Sequence, residues 1–185
     1  MQLRNSASGY GVVSRSLHWI TVLLVLIAWL VGTFGDAVPK GEPRAIGLAI
    51  HIAAGLVILM VLALRMPWRA IDPPPLPPEP TRLGPWGDRA SRLAHYTLYG
   101  LLLAVLVIGI AVQFARGAPL PLFGFAEITS PWTADRAFAR LIKEVHEVLA
   151  NALVILAALH AAAALIHHWV LHDRTLARML PGGGK

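Results

Sequence analysis

Four long apolar windows constrain what this chain can become. Leu17 to Phe34, Ala45 to Leu64, Leu93 to Phe114 and Val145 to Leu171 contain, between them, a single Asp, Glu, Lys or Arg, which is Glu147. A bilayer core of about 30 Å takes about 20 helical residues, and each window meets or nearly meets that length. In hydrocarbon every backbone polar group must be bonded internally, so continuous apolar runs of this length read as helices. The predicted fold class is all-α, a transmembrane four-helix bundle, with residues 1–185 as one domain spanning about 17–34, 45–64, 93–114 and 145–171.

Composition closes the other routes. Apolar residues make up 56% and charged residues 14%, whereas a soluble domain carries about 25% charged residues. A water-soluble globule and a disordered chain are both excluded. There is no cysteine, which removes disulfides, thiolate zinc sites, iron–sulfur clusters and covalently attached haem. The net charge of +6 is what basic loops of a membrane protein produce, and does not imply nucleic-acid binding. The first window is too long, and too poorly followed by a small-residue cleavage pattern, to be a signal peptide. The partner these numbers imply is a lipid bilayer.

The connections fit that reading. Gly35–Arg44 is a short turn, and Arg65–Arg92 is a linker built around the run Asp72–Pro80, which favours extended polyproline geometry. Arg116–Glu144 is the longest loop, and Ala134–Lys143 is expected to form a short surface helix. Ten Lys and Arg fall on the side of the termini and the proline linker, against six on the other. The positive-inside rule then places both termini in the cytoplasm of a multi-pass inner-membrane protein. Trp19, Trp68, Trp86, Trp132 and Trp169 fall at the predicted interfaces, as an aromatic belt does.

With no thiol, histidine is the remaining strong soft-metal ligand, and an ionisable group inside a span is a functional hypothesis by default. His18 opens the first span, His51 lies early in the second, His95 opens the third, and His146 and His160 lie on the fourth. At 100° per residue, His160 points within about 40° of His146 and lies about 21 Å along the axis. One helix therefore presents two imidazoles on nearly one face, one in each leaflet. At the outer depth the intramembrane partner for His146 is His51. At the inner depth His160 has two possible partners, His18 and His95, and spacing does not choose between them.

Two stacked bis-histidine sites suit two non-covalent b haems, and full axial ligation by imidazole favours electron transfer over oxygen binding. Gly47, His51 and Gly55 share one helix face, as small residues beside a flat macrocycle would. The same pattern also serves plain helix packing. His167, seven residues past His160, reaches the membrane boundary, where it is a candidate to bond a quinone head group; Ser16 is a second, weaker one. A basic outer loop with Arg116, Arg136, Arg140 and Lys143 would draw anions if it is more than a solvated surface.

These residues resemble the prokaryotic cytochrome b561 family, along essentially the whole chain. The matching stretches are Ser16-Leu17-His18-Trp19, Ile50-His51-Ile52-Ala53-Ala54-Gly55, His146-Glu147, and His160 through His168 with Asp173, Thr175-Leu176, Arg178-Met179 and Pro181. The resemblance implies a di-haem inner-membrane cytochrome with His18 and His160 on the cytoplasmic haem and His51 and His146 on the periplasmic one. That leaves His95 as an alternative ligand or a neighbour of one. It implies a quinone site near Ser16 and His167, ubiquinone as acceptor and superoxide as donor, which makes the chain an oxidoreductase.

Two other functions compete. One is a quinol-oxidising electron shuttle in the same fold, serving a dehydrogenase or hydrogenase, although no motif names a protein partner. The other is a haem-free, histidine-lined metal or proton transporter. The sequence departs from its relatives in a longer, arginine-based linker and in the tail Gly182-Gly183-Gly184-Lys185; neither touches the proposed ligands.

Overall fold

The computed structural model describes residues 2–6, 9–75 and 84–180. The fold is an all-α, four-helix transmembrane bundle. Its helices are α1 (Val12–Phe34), α2 (Glu42–Ile71), α3 (Gly84–Ala115) and α4 (Arg136–Trp169). Each is long and apolar enough to cross a membrane. Large apolar side chains such as Leu23, Val107, Ile155 and Leu159 stand exposed along them, which hydrocarbon tolerates and water does not.

The helices outrun the apolar windows. α2 continues through Arg65–Ile71 with Pro67 in its interior, and α3 takes in Trp86–Arg92; both stretches read as linker from the sequence. Ala134–Lys143 is not a separate surface helix, because α4 runs unbroken from Arg136. Hydropathy marks only the stretch that must lie in hydrocarbon, whereas a helix continues as long as its backbone bonds do. Residues 76–83, which include the end of the proline run, and the tail 181–185 lie outside the described residues.

The chain divides into two compact units, each containing one length of all four helices. The first unit comprises Met1–Thr21, Val61–Leu98 and Ile155–Lys185. Its N-terminal arm is latched to the end of α2. The Asn5 backbone N–H donates to the Asp72 carboxylate at 2.9 Å, and the Asn5 amide donates to the carbonyls of Asp72 and Pro73 at 2.9 and 3.1 Å. The Asn5 side-chain oxygen accepts from the Gly11 N–H at 2.9 Å, just ahead of α1. Asp72 is buried by these contacts. The chain after α4 returns to α1, where Arg15 and Trp19 donate to the carbonyls of Leu180 and Met179 at 2.8 and 2.9 Å.

The second unit comprises Val22–Met60 and Tyr99–Val154. Ala54, Ile58, Leu102, Leu106, Val112 and Leu153 form its core. α3 ends in a Schellman-type turn, with Ala118 N–H bonded to the Gln113 carbonyl at 3.3 Å. Gly117 takes φ 67 there, which an L side chain rarely adopts. A small hairpin follows, β1 (Leu120–Leu122) paired antiparallel with β2 (Ala126–Ile128) in the register Leu120 to Ile128. Asp135 then starts α4: its carboxylate accepts from the N–H groups of Ala137 and Phe138, each at 2.9 Å. This is the N-cap bond that satisfies otherwise unpaired first-turn donors.

Candidate functional site

In the second unit, α2 and α4 bring His51 and His146 together, with ring centroids 6.0 Å apart and planes at 76°. Each imidazole turns its Nδ1 to a main-chain carbonyl of another helix. His51 Nδ1 bonds Ala28 O of α1 at 2.8 Å, and His146 Nδ1 bonds Val105 O of α3 at 3.0 Å. A carbonyl can only accept, so Nδ1 carries the proton in both rings and Nε2 keeps its lone pair. This is the tautomer of a metal-ligating histidine, fixed by its outer partner.

The same device holds both rings. Four residues after each acceptor stands a glycine: Gly32 after Ala28, and Gly109 after Val105. In a helix, a carbonyl at position i points toward residue i+4. A Cβ built on Gly32 would lie 3.0 Å from His51 Cε1, and one on Gly109 would lie 3.0 Å from His146 Cε1. The two glycines therefore open the carbonyls to the imidazoles. Sequence reasoning picked out Gly47 and Gly55 and missed these. A Cβ on Gly47 or Gly55 would meet only ordinary contacts, at 3.8 and 3.9 Å, although Gly55 does line the cavity described next. The available signal was a lone glycine, unfavourable in a helix interior, within otherwise Leu- and Val-rich spans.

A cavity of about 110 Å³ adjoins the pair, lined by residues of all four helices, including Trp29, Leu106 and Gln113. Trp29 Nε1 donates to Asn151 Oδ1 at 2.9 Å. Two imidazoles on opposite sides of one metal ion, with metal–nitrogen bonds of about 2 Å, put their ring centroids about 6 Å apart, so the observed 6.0 Å fits. Among the described residues no group of three or more His, Cys, Asp or Glu is arranged to hold an ion. A ligand that brings its own four nitrogens and leaves two axial positions is what such a pair suits, and haem is such a ligand.

The first unit gathers three imidazoles. His160 of α4 and His95 of α3 have ring centroids 5.1 Å apart, and His95 Nδ1 bonds the Ser91 carbonyl of its own helix at 2.7 Å. His18 of α1 lies near both. Arg65 Nη2 of α2 lies 3.4 Å from its Nδ1; a guanidinium only donates, so in this long contact the His18 proton sits on Nε2, the reverse of His51 and His146.

His167, in the last turn of α4, hydrogen-bonds through Nδ1 to the Asp173 carboxylate. That carboxylate also accepts from the Thr175 N–H at 2.8 Å. Burial pushes the Asp173 carboxyl up, but the bonds from His167 and Thr175 outweigh it and hold it below the usual carboxylate range. The pairing was not foreseen, although both residues belong to the motif quoted above. Ser16 stands exposed in α1, between Arg15 and Trp19, which bind the returning chain.

Comparison with known proteins agrees with this chemistry. The family model described as prokaryotic cytochrome b561 matches residues 9–182. The chain is 32% identical to cytochrome b561 homolog 2 of Escherichia coli, over 97% of this chain and 95% of that one. It is 37% identical to cytochrome b561 homolog 1 of the same organism, over 89% and 93%. It is 33% identical to a protein of Yersinia pestis named probable superoxide oxidase CybB, over 93% and 96%. Four helices long and apolar enough to cross a membrane, a pair of imidazoles brought together from two of them and a family match along nearly the whole chain lead to one conclusion: this is a multi-pass bacterial membrane protein, a b-type electron-transfer cytochrome of the prokaryotic cytochrome b561 family.

Proposed function

We propose that the chain holds two b haems and transfers electrons from superoxide to ubiquinone. His51 and His146 would hold one haem, and His18 and His160 the other, His18 with its ring proton moved from Nε2 to Nδ1; His95 is the alternative to His18 or a neighbour of the ligands. The observation that carries the reading is the His51–His146 pair, with both Nδ1 atoms held by carbonyls and both Nε2 atoms left free to ligate.

Bound haem would supply reversible one-electron transfer. The protein does the rest. Ala28 and Val105 orient the ligands, and the glycines beside them keep the approach clear. The apolar cavity walls exclude water and keep the dielectric low. The overall reaction takes two superoxide ions, one ubiquinone and two protons to two oxygen molecules and one ubiquinol. His167, whose Nδ1 is bonded to the Asp173 carboxylate, would give a proton to the quinone from Nε2 of its protonated ring, which that carboxylate stabilises. Ser16 is the second quinone contact. The Lys and Arg distribution supports termini in the cytoplasm, so the quinone site lies on that side and superoxide arrives from the other. The name of the Yersinia pestis relative supports superoxide as donor.

The test is an optical spectrum of the purified, haem-loaded chain followed by a superoxide pulse. Two haems per chain and rapid appearance of the reduced α-band support the proposal. A colourless protein favours the transporter, and two haems that superoxide leaves oxidised but quinol reduces favour the shuttle.

A further inference from the structure

We propose that Arg65, with Arg69 in support, sets the haem of the first unit at a higher reduction potential than the haem held by His51 and His146. The inference rests on the two-haem reading above. Arg65 is half-buried and follows directly on the apolar window of α2. Its guanidinium Nη2 lies 3.4 Å from His18 Nδ1, and the rings of His95 and His160, 5.1 Å apart, lie within range of its charge. Three imidazoles from three helices thus share one cation. Arg69, one turn further along α2, acts on His95 as well. Arginine keeps its charge at any working pH, so the positive field is permanent.

The second unit differs. The residues lining its cavity include no Asp, Glu, Lys or Arg. The formal charges that reach His146 are Glu147 and Lys143, which are paired with each other and offset.

The sign follows from charge balance. When ferric haem takes up one electron its charge falls by one, and no atom is transferred. A nearby fixed cation in a low-dielectric setting favours the form with less positive charge, here the ferrous one. A guanidinium is also the natural partner of a haem propionate, and pairing there acts in the same direction, since it cancels a negative charge that favours ferric iron. The site with the arginines is therefore the electron sink.

The experiment is an optical redox titration of the full, haem-loaded chain in detergent, with dithionite as reductant. It compares wild type, Arg65→Gln, Arg65→Lys and Arg69→Gln, each also in a His51→Ala background that isolates the first-unit haem. Arg65→Gln is expected to lower one midpoint at least tenfold in equilibrium constant, ~59 mV for one electron, and to leave the other in place. Arg65→Lys should retain most of the wild-type value, and Arg69→Gln should give a smaller fall in the same haem. Unshifted midpoints with both haems bound overturn the proposal, as does a shift confined to the other haem. If Arg65→Gln loses haem, Arg69→Gln and Arg65→Lys decide: unshifted Arg69→Gln midpoints overturn it. A haem-free His51→Ala protein overturns the two-haem reading along with this one, and is recognised because no midpoint remains.

Discussion

His51 and His146 oppose each other at 6.0 Å, and each is aimed by a carbonyl from a helix that is not its own. All four helices of the second unit therefore contribute to one imidazole pair: two supply the rings, and two supply the acceptors and the glycines that uncover them. Such outer partners typically control metal affinity by a factor of about 10–100.

That arrangement predicts a contrast among glycines. Gly32→Ala or Gly109→Ala puts a methyl group 3.0 Å from an imidazole carbon, and should weaken binding of the second-unit haem by about tenfold or more. Gly55→Ala, whose Cβ would meet Leu106 at 3.9 Å, should bind haem normally. Haem occupancy on titration with hemin measures all three.

Removing ligands should remove haems singly. His51→Ala is expected to halve the haem content and leave the other haem's spectrum intact. At the first-unit site, His18→Ala should lose haem and His95→Ala should keep it with an altered spectrum. Pyridine haemochrome assay with low-temperature spectra reads both, and the reverse result would assign His95 as the ligand.

At the other end of the chain, His167→Ala should leave both haems bound and slow quinone reduction by about 10²-fold, the low end for loss of a positioned proton donor. Asp173→Asn, which leaves the ring in place without its carboxylate partner, should have a smaller effect in the same direction. Stopped-flow quinol formation checks this; unchanged turnover in His167→Ala would remove it from the quinone site.

The Asp173 carboxyl titrates below its ordinary value in the folded protein. A depressed carboxylate stabilises the fold above its unfolded pKa of about 3.9, and that stabilisation disappears as pH falls through the lower folded value. Acid should therefore loosen the His167–Asp173–Thr175 contacts only below about pH 4. The difference in melting temperature between wild type and Asp173→Asn, followed against pH, should be flat near neutrality and shrink in that acid window.

Asn5→Ala deletes the side-chain bonds to Asp72, Pro73 and Gly11 and leaves part-buried main-chain groups of Asp72 and Gly11 without these partners. A local loss of about 1–3 kcal/mol is expected. Faster hydrogen exchange at the Gly11 amide, without loss of haem, is the measurement.

Much of the architecture was legible from the chain alone. Hydrocarbon admits few backbone solutions, so four uninterrupted apolar windows sufficed for four helices, and the absence of cysteine left histidine as the soft ligand. The pairing of His51 with His146 followed from depth, because two residues on different spans meet only at the same level in the membrane. The helix ends did not follow, since Arg65–Ile71 and Trp86–Arg92 are helical without being apolar.

Tertiary structure decided which carbonyl each imidazole finds, which glycines matter and where Arg65 places its charge. A helical period says which residues share a face, but not which neighbouring backbone that face meets, or how closely. Gly32 and Gly109 owe their importance to rings on other helices. Arg65, an ordinary linker cation by sequence, lies against His18 because α2 continues past its apolar stretch.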